Sequence, residues 1–319
     1  MPHNQNKMIL PIQRYTFNWI ATSDIFLPAY SGSVLRGNFG NILRKTVCFT
    51  KYETCVNCPL ITRCSYGKLY DTVQLGDSLH LKQIHPYVLE PLEYNRRQIN
   101  VGESFSFSMV LMGDTYKDLA LYIFIWEKIF AEYGLRIAKN QGFAKLESVT
   151  IDNEIIYDNL VDDADKVVLE HQHQTTIEAL EPRTSKINLV LETPLRLQGR
   201  DENNKSIIIG CSTFDARAFI SGLINKSRQF FKTYGINYEI PPIDTNAIQL
   251  TNKKLHWIKT RRYSGSQKQE MDFYGIVGSF TLEGDNLEKI VPLINVCQYL
   301  HLGKSSTFGF GKFNITKEN

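Results

Sequence analysis

The strongest constraint on this chain is an order of elements that occurs twice. Tyr15–Phe26 has the aromatic and β-branched content of a strand, Gly32–Thr46 is helical, and Tyr87–Leu89 follows Pro86 as a short strand. Ser104–Leu111 then alternates, with Phe105, Phe107, Met109 and Leu111 on one face. Gly113-Asp114 ends that strand, Lys117–Tyr133 has helical apolar periodicity, and Gly142–Thr150 returns as a strand. The second half repeats the order: strand Lys186–Leu197, then a long helix Phe214–Tyr234 with Asp215 near its start and Gly235 past its end. Strands Lys254–Tyr263 and Tyr274–Leu282, the Gly284-Asp285 turn, helix Leu287–Leu300 and strand Thr307–Ile315 complete it. Both halves read β-α-β-β-α-β, so the expected fold class is α+β, tandem ferredoxin-like domains. Residues 1–160 are expected to form the first, 161–185 an acidic connector, and 186–319 the second. Such folds host many functions, so function has to come from the residues they carry.

One insertion in the first half carries chemistry of its own. Cys48, Cys55, Cys58 and Cys64 have the spacing C-x6-C-x2-C-x5-C. In a reducing compartment such a cluster points to a metal site before a disulfide framework. Four thiolates in one short loop can surround a tetrahedral ion, and Cys55 and Cys58 have the two-residue knuckle spacing. The expectation is a structural zinc, with an iron–sulfur cluster as the alternative because it also takes four thiolates. Four protein ligands leave no open position for substrate. Cys211 and Cys297 lie in apolar surroundings and are expected in the core.

Composition excludes several classes. With 43% hydrophobic and 22% charged residues, there is ample apolar surface to fold, which excludes a disordered tail. No run approaches the ~20 apolar residues of a membrane span; Leu119–Phe130 is too short. The first residues, MPHNQNK, lack the basic region and apolar core of a secretory signal, so the expected location is the cytoplasm. The 36 Lys+Arg and 33 Asp+Glu leave a net charge of only +3, yet the charge is unevenly spread. Lys253, Lys254, Lys259, Arg261, Arg262 and Lys268 fall in one acid-free stretch interleaved with His256, Trp257 and Tyr263, whereas Asp152–Asp165 is acid-rich. Basic residues alternating with aromatics suit a phosphate backbone with stackable bases; a solvated strand edge is the alternative.

A glycine-rich segment near the C-terminus narrows the field. Gly303-Lys304-Ser305 contains the G-K-S fragment of a nucleotide-binding loop, but the upstream glycine that motif requires is replaced by Gln298. An ATPase is therefore not expected. The run Arg262-Tyr263-Ser264-Gly265-Ser266-Gln267, with Gly275-Ile276-Val277-Gly278 and then Tyr299-Leu300-His301-Leu302-Gly303-Lys304-Ser305-Ser306-Thr307-Phe308-Gly309-Phe310-Gly311, resembles a known signature. It is that of the CRISPR precursor-RNA-processing endoribonucleases of the RAMP superfamily, the CRISPR-associated family conventionally numbered six. Leu27–Gly40, the cysteine loop ending Cys64-Ser65-Tyr66, and Thr193-Pro194-Leu195-Arg196-Leu197 are similar to one branch of it.

The resemblance implies tandem ferredoxin-like domains that cut CRISPR repeat RNA without a catalytic metal. The 2′-hydroxyl attacks the adjacent phosphate, leaving a 2′,3′-cyclic phosphate and a 5′-hydroxyl. That chemistry needs a base, an acid and cations for the developing phosphorane charge. Many members carry a catalytic histidine on the first helix. Here Gly32–Thr46 has none and offers Arg36, Arg44 and Lys45 as RNA contacts. His301 becomes the lead acid or base, with Lys304 and Tyr263 as further catalytic candidates; a helix-end packing role is the alternative for His301. Gly303, Ser305, Gly309 and Gly311 would let backbone amides approach phosphate, or simply permit a tight turn. Lys312, Arg228, Lys259, Arg261, Arg262 and Gln267 complete the expected RNA contacts. His171 and His173 are expected to be exposed in the connector. The expected partner is CRISPR repeat RNA, bound by a monomer or homodimer; the alternative is a non-catalytic RNA-binding subunit joined to other CRISPR effector subunits. A zinc-stabilised adaptor without RNA affinity is a third reading.

Overall fold

A strand β1 (Lys7–Leu10) opens the part of the chain described by the computed structural model, which covers residues 7–55, 57–70, 84–93, 95–137, 140–162, 166–178, 185–264 and 269–316. The next elements are β2 (Ile12–Ala21), α1 (Gly32–Val47), α2 (Ser65–Tyr70), β3 (Tyr87–Glu90), β4 (Ser104–Met112), α3 (Leu119–Glu127), β5 (Ala144–Ile151) and β6 (Glu154–Asp158). Then come β7 (Thr175–Glu178), β8 (Lys186–Leu195), α4 (Ala216–Tyr234), β9 (Ile248–Ser264), β10 (Gln269–Gly284), α5 (Val291–Leu300) and β11 (Phe313–Thr316). The result is a mixed fold of helices and antiparallel sheets. No described helix is long and apolar enough to cross a membrane.

The chain divides into two compact units, Ile12–His173 and Met1–Pro11 with Gln174–Asn319. The first holds the sheet β6-β5-β2-β4-β3 and the second the sheet β9-β10-β8-β11, with antiparallel neighbours throughout. Counting strands along each β-α-β-β-α-β run, both sheets follow the spatial order 4-1-3-2, with β6 added at one edge of the first. The units differ from the expected division in two respects: the first runs on to His173, so the expected connector 161–185 is shared between the two units, and the first strand changes sides. β1 pairs with β7, from Lys7↔Glu178 to Leu10↔Thr175, so the first strand belongs with the second unit. A strand has no local partner of its own and goes where its ladder is completed.

Periodicity explains the packing of the first unit. α1 buries Leu35, Phe39, Ile42 and Leu43, the i, i+4, i+7, i+8 stripe of an amphipathic helix. Phe39 stacks on Trp126 with ring centroids 4.8 Å apart, Phe107 meets Trp126 at 4.6 Å, and Trp19 meets Phe130 at 4.5 Å. Each such pair adds about 1 kcal/mol beyond its buried area. In the second unit the Asp215 carboxylate accepts from the Ala218 N–H at 2.7 Å and starts α4, a cap worth about 1 kcal/mol.

Four local expectations change. The two basic-segment strands are longer than the apolar pattern suggests: they pair from Ile248↔Gly284 to Ser264↔Gln269 as two arms of one hairpin. The last strand begins at Phe313, not Thr307; Gly309 and Gly311 take φ +86° and +76°, which an extended strand does not accommodate. His173 is buried, not exposed. Its Nδ1–H donates to the Tyr15 hydroxyl at 2.8 Å, and Tyr15 donates to His171 Nε2 at 3.0 Å, because His171 Nδ1 is occupied by the Leu169 carbonyl. Cys297 lies in the core as expected, but Cys211 is half-buried.

Candidate nucleic-acid interface

In the second unit, the segment between α5 and β11 folds as a loop fastened to the end of β8. The Thr193 hydroxyl donates to the Gly309 carbonyl at 2.6 Å and accepts from the Lys312 N–H at 2.8 Å. The Gly311 N–H donates to Pro194 C=O at 3.1 Å, and the Lys304 N–H donates to Arg196 C=O at 2.9 Å. Gly311 is required by contact as well as by φ: a Cβ there would lie 1.8 Å from the Leu302 carbonyl oxygen. The loop glycines therefore include a packing role, since the Gly311 amide is already spent on the fold.

His301 closes the same loop from inside. It is 0% exposed, and its Nδ1–H donates to the Phe310 carbonyl at 3.2 Å. This corrects the expectation that it meets substrate: its imidazole ties α5 to the far side of the loop. Lys304 is exposed at the loop's outer turn, and Ser305 takes φ +67° beside it. Lys312 is half-buried and pairs with Glu192 at 3.4 Å.

The structure adds a cation that sequence reasoning missed. Lys226, on α4, donates from Nζ to Ser306 Oγ at 3.2 Å. Burial lowers its pKa to about 8, because a desolvated ammonium is penalised. Its position was legible as an anomaly: Phe219, Leu223 and Phe230 are buried on one stripe of α4, and residue 226 falls on that stripe. Arg228, proposed from the same helix, is exposed. Arg196 lies over the Tyr274 ring, Cζ to centroid 4.5 Å, and donates from Nη2 to its hydroxyl at 3.1 Å. On the hairpin, Lys259 is exposed and pairs with Asp272 at 2.8 Å. Arg261, Arg262 and Tyr263 lie on β9 opposite Asp272, Met271 and Glu270, near the hairpin end. Gln267 is outside the described residues.

In the first unit the expected RNA contacts are largely consumed by the fold. The Arg36 guanidinium sits 4.7 Å from the Tyr70 ring centroid, and Tyr70 donates to the Arg36 carbonyl at 2.8 Å. Arg44 donates from Nη2 to the carbonyls of Tyr52 and Glu53, at 2.5 and 2.7 Å, which closes the cysteine loop against α1. Lys45 is exposed.

The four cysteines line one cavity of about 300 Å³ together with Arg44, Tyr52 and Tyr66. Thr50 Oγ1 stands 3.9 Å from Cys48 Sγ and 3.7 Å from Cys58 Sγ. The donor set and the shared cavity fit a thiolate-bound metal. Among the described residues, however, no three ligating side chains are gathered closely enough to hold an ion, so the expected four-thiolate site is not formed as a cluster in this arrangement.

Comparison with known proteins places this arrangement. Residues 10–174 match a family model described as an N-terminal domain, and residues 189–313 match the model of the CRISPR-associated endoribonuclease Cas6. An uncharacterized protein of Archaeoglobus fulgidus is 24% identical over 296 residues, 91% of this chain and 92% of its own. Among solved structures, a Cas6 product complex is similar over 96% of this chain and 100% of that one, with TM-score 0.54 and 12% identity. A partial Cas6-RT-Cas1–Cas2 complex is similar over 96% of this chain and 46% of that one, with TM-score 0.53 and 12% identity. At such identities the structural likeness is one of fold. The two matched models run in order from residue 10 to residue 313, and the second, which covers the fastened glycine-rich loop, makes residues 189–313 a domain of the Cas6 family.

Proposed function

We propose that this chain is an endoribonuclease that processes CRISPR repeat RNA, with the second unit's glycine-rich loop holding the scissile region. Both units are read as ferredoxin-like, on the 4-1-3-2 order of their sheets. The observation that carries the reading is the loop itself: fastened at Thr193, Pro194 and Arg196, it sets Lys304 on its outer turn and receives Lys226 at Ser306. A rigid loop flanked by two ammonium groups is what a phosphate diester in a crowded transition state requires.

In the proposed reaction the 2′-hydroxyl gives its proton to a base and its oxygen bonds to phosphorus. The P–O5′ bond breaks, and an acid returns a proton to O5′. Lys226 and Lys304 supply cationic stabilisation and protonation of the leaving oxygen, and Tyr263 is retained as the candidate that orients the attacking hydroxyl. His301 acts as a positioning residue, through Phe310. No catalytic metal enters this scheme. A structural zinc is proposed for Cys48, Cys55, Cys58 and Cys64, where it would brace the loop that Arg44 closes; an iron–sulfur cluster would announce itself by visible absorbance. Elemental analysis of chelator-treated protein is expected to give about one zinc per chain. The proposed site of action is the cytoplasm.

The test is cleavage of end-labelled repeat RNA in EDTA. A discrete cut with a cyclic-phosphate end, abolished by a 2′-deoxy at the scissile nucleotide, supports the enzyme. Tight binding without a cut favours the second reading, a non-catalytic RNA-binding subunit of a CRISPR complex. Two observations lean that way: α1 contains no histidine, and His301 is buried. The Cas6-RT-Cas1–Cas2 assembly is a precedent for a relative of this fold working beside other CRISPR proteins.

A further inference from the structure

Beyond the loop, the hairpin of the second unit carries a row of flat side chains. Trp257 on β9 and Tyr274 on β10 are diagonal neighbours, since Lys259 pairs with Tyr274 and Trp257 with Ile276. Their ring centroids are 5.4 Å apart with planes at 29°. Arg196 covers Tyr274 from β8's end, completing the row Arg196–Tyr274–Trp257. A glycine makes this approach possible: at Gly275 a Cβ would lie 2.7 Å from the Leu195 carbonyl oxygen, so only a residue without one lets the Pro194–Leu195 backbone close on β10.

Three features separate this row from ordinary core packing. Trp257 is 44% exposed, although tryptophan is among the costliest side chains to leave in water. Among the described residues no carboxylate pairs with Arg196, and its buried Nε has no hydrogen-bond partner, so its guanidinium plane is given to the ring and not to an ion pair. The Arg196 carbonyl accepts from the Lys304 N–H, which joins the row to the glycine-rich loop through a single residue. Exposed Lys259 lies two residues on, on the same face of β9 as Trp257.

We propose that Trp257, backed by Tyr274 and Arg196, is a stacking platform for one unpaired nucleobase of the RNA whose backbone the glycine-rich loop holds. The inference rests on the RNA reading above and adds a requirement to it: the nucleotide beside the loop is single-stranded, because a base within a duplex has no free face to offer. Stacking on an aromatic plane is tolerant of base identity, so the platform selects for strand state before sequence.

The protein carries its own probe. Of its three tryptophans, Trp19 and Trp126 are fully buried and Trp257 alone is exposed. Intrinsic fluorescence is titrated with a short mixed-sequence single-stranded RNA and, separately, with the duplex formed with its complement, using the full-length protein and the variants Trp257→Ala, Trp257→Phe and Arg196→Lys. The expected result is quenching by the single strand that is lost in Trp257→Ala, with affinity lower by roughly tenfold or more. Trp257→Phe, which keeps a ring, retains most of the affinity, Arg196→Lys loses part of it, and duplex affinity is unchanged in all three. Binding of the single strand without quenching, and with equal affinity in Trp257→Ala, overturns the platform and leaves the RNA reading intact. Failure of the wild type to bind either RNA overturns both.

Discussion

In the first unit α1 carries Arg36, Arg44 and Lys45, and two of the three are bound to their own fold: Arg36 over Tyr70, Arg44 on the carbonyls of Tyr52 and Glu53. In the second unit the helix at the corresponding place, α4, carries Arg217, Lys226, Arg228 and Lys232. There Lys226 reaches the glycine-rich loop and Arg228 stands in solvent. The two helices open the same order of elements on sheets of the same topology. What differs is what lies within reach. The cysteine loop offers α1 the Tyr52 and Glu53 carbonyls and α2 offers it the Tyr70 ring, and these take the two arginines. In the fastened loop beside α4 the Gly309 and Phe310 carbonyls are taken by Thr193 and His301 and the Gly311 amide by the Pro194 carbonyl, and the Ser306 hydroxyl receives Lys226. Counting cations along a sequence therefore does not show which of them the fold has already engaged: it counts Arg36 and Arg44 in the first unit and passes over Lys226 in the second.

The hardest way to break this contrast is Gly311→Ala. It forces a non-glycine residue to φ +76° and a methyl into the Leu302 carbonyl, a cost of about 3 kcal/mol or more, so it is expected to lower the melting temperature and abolish measurable cleavage. Thermal unfolding and single-turnover kinetics check both. Lys226→Met comes next. Removal of one preorganised donor is expected to slow single-turnover cleavage by about 100-fold while circular dichroism is unchanged. Its pH dependence has a definite sign. With a pKa of about 8, Lys226 loses its charge as pH rises through 8, so the wild-type rate falls there and Lys226→Arg holds its plateau to higher pH. Stability moves the other way. The unfolded chain keeps the Lys226 proton up to its ordinary pKa of about 10.4, so unfolding free energy rises with pH between about 8 and 10.4, and Lys226→Met flattens that rise.

Two weaker perturbations sharpen the comparison. Arg44→Ala is expected to speed proteolysis within residues 48–64 and, if the proposed zinc is bound there, its loss to a chelator, while changing RNA affinity by less than about twofold. A large loss of RNA affinity would instead move Arg44 into the RNA surface. Arg228→Ala, exposed on α4, is expected to reduce RNA affinity about threefold and to lower the slope of log affinity against log salt by roughly one phosphate contact.

Local patterns were enough to find most of the scaffold. Period-two alternation at Phe105–Leu111, the stripe Leu35–Leu43, the Asp215 cap and the order of elements all depend on near neighbours, and the structure keeps them. The cysteine spacing was visible for the same reason, and the four residues do share a cavity. What the residues alone did not disclose depends on chain segments far apart. His301 and His173 look like free imidazoles until Phe310 and Tyr15 arrive beside them. The β1 strand looks like part of the first half until β7 completes its ladder. Lys226 and Arg196 acquire their roles only when α4 meets Ser306 and Gly275 lets β8 close on β10. Hydrophobic periodicity records which face is buried. It carries no record of which distant segment lies opposite a polar side chain, and that decides both the burial that lowers the pKa of Lys226 and the ring row at Trp257.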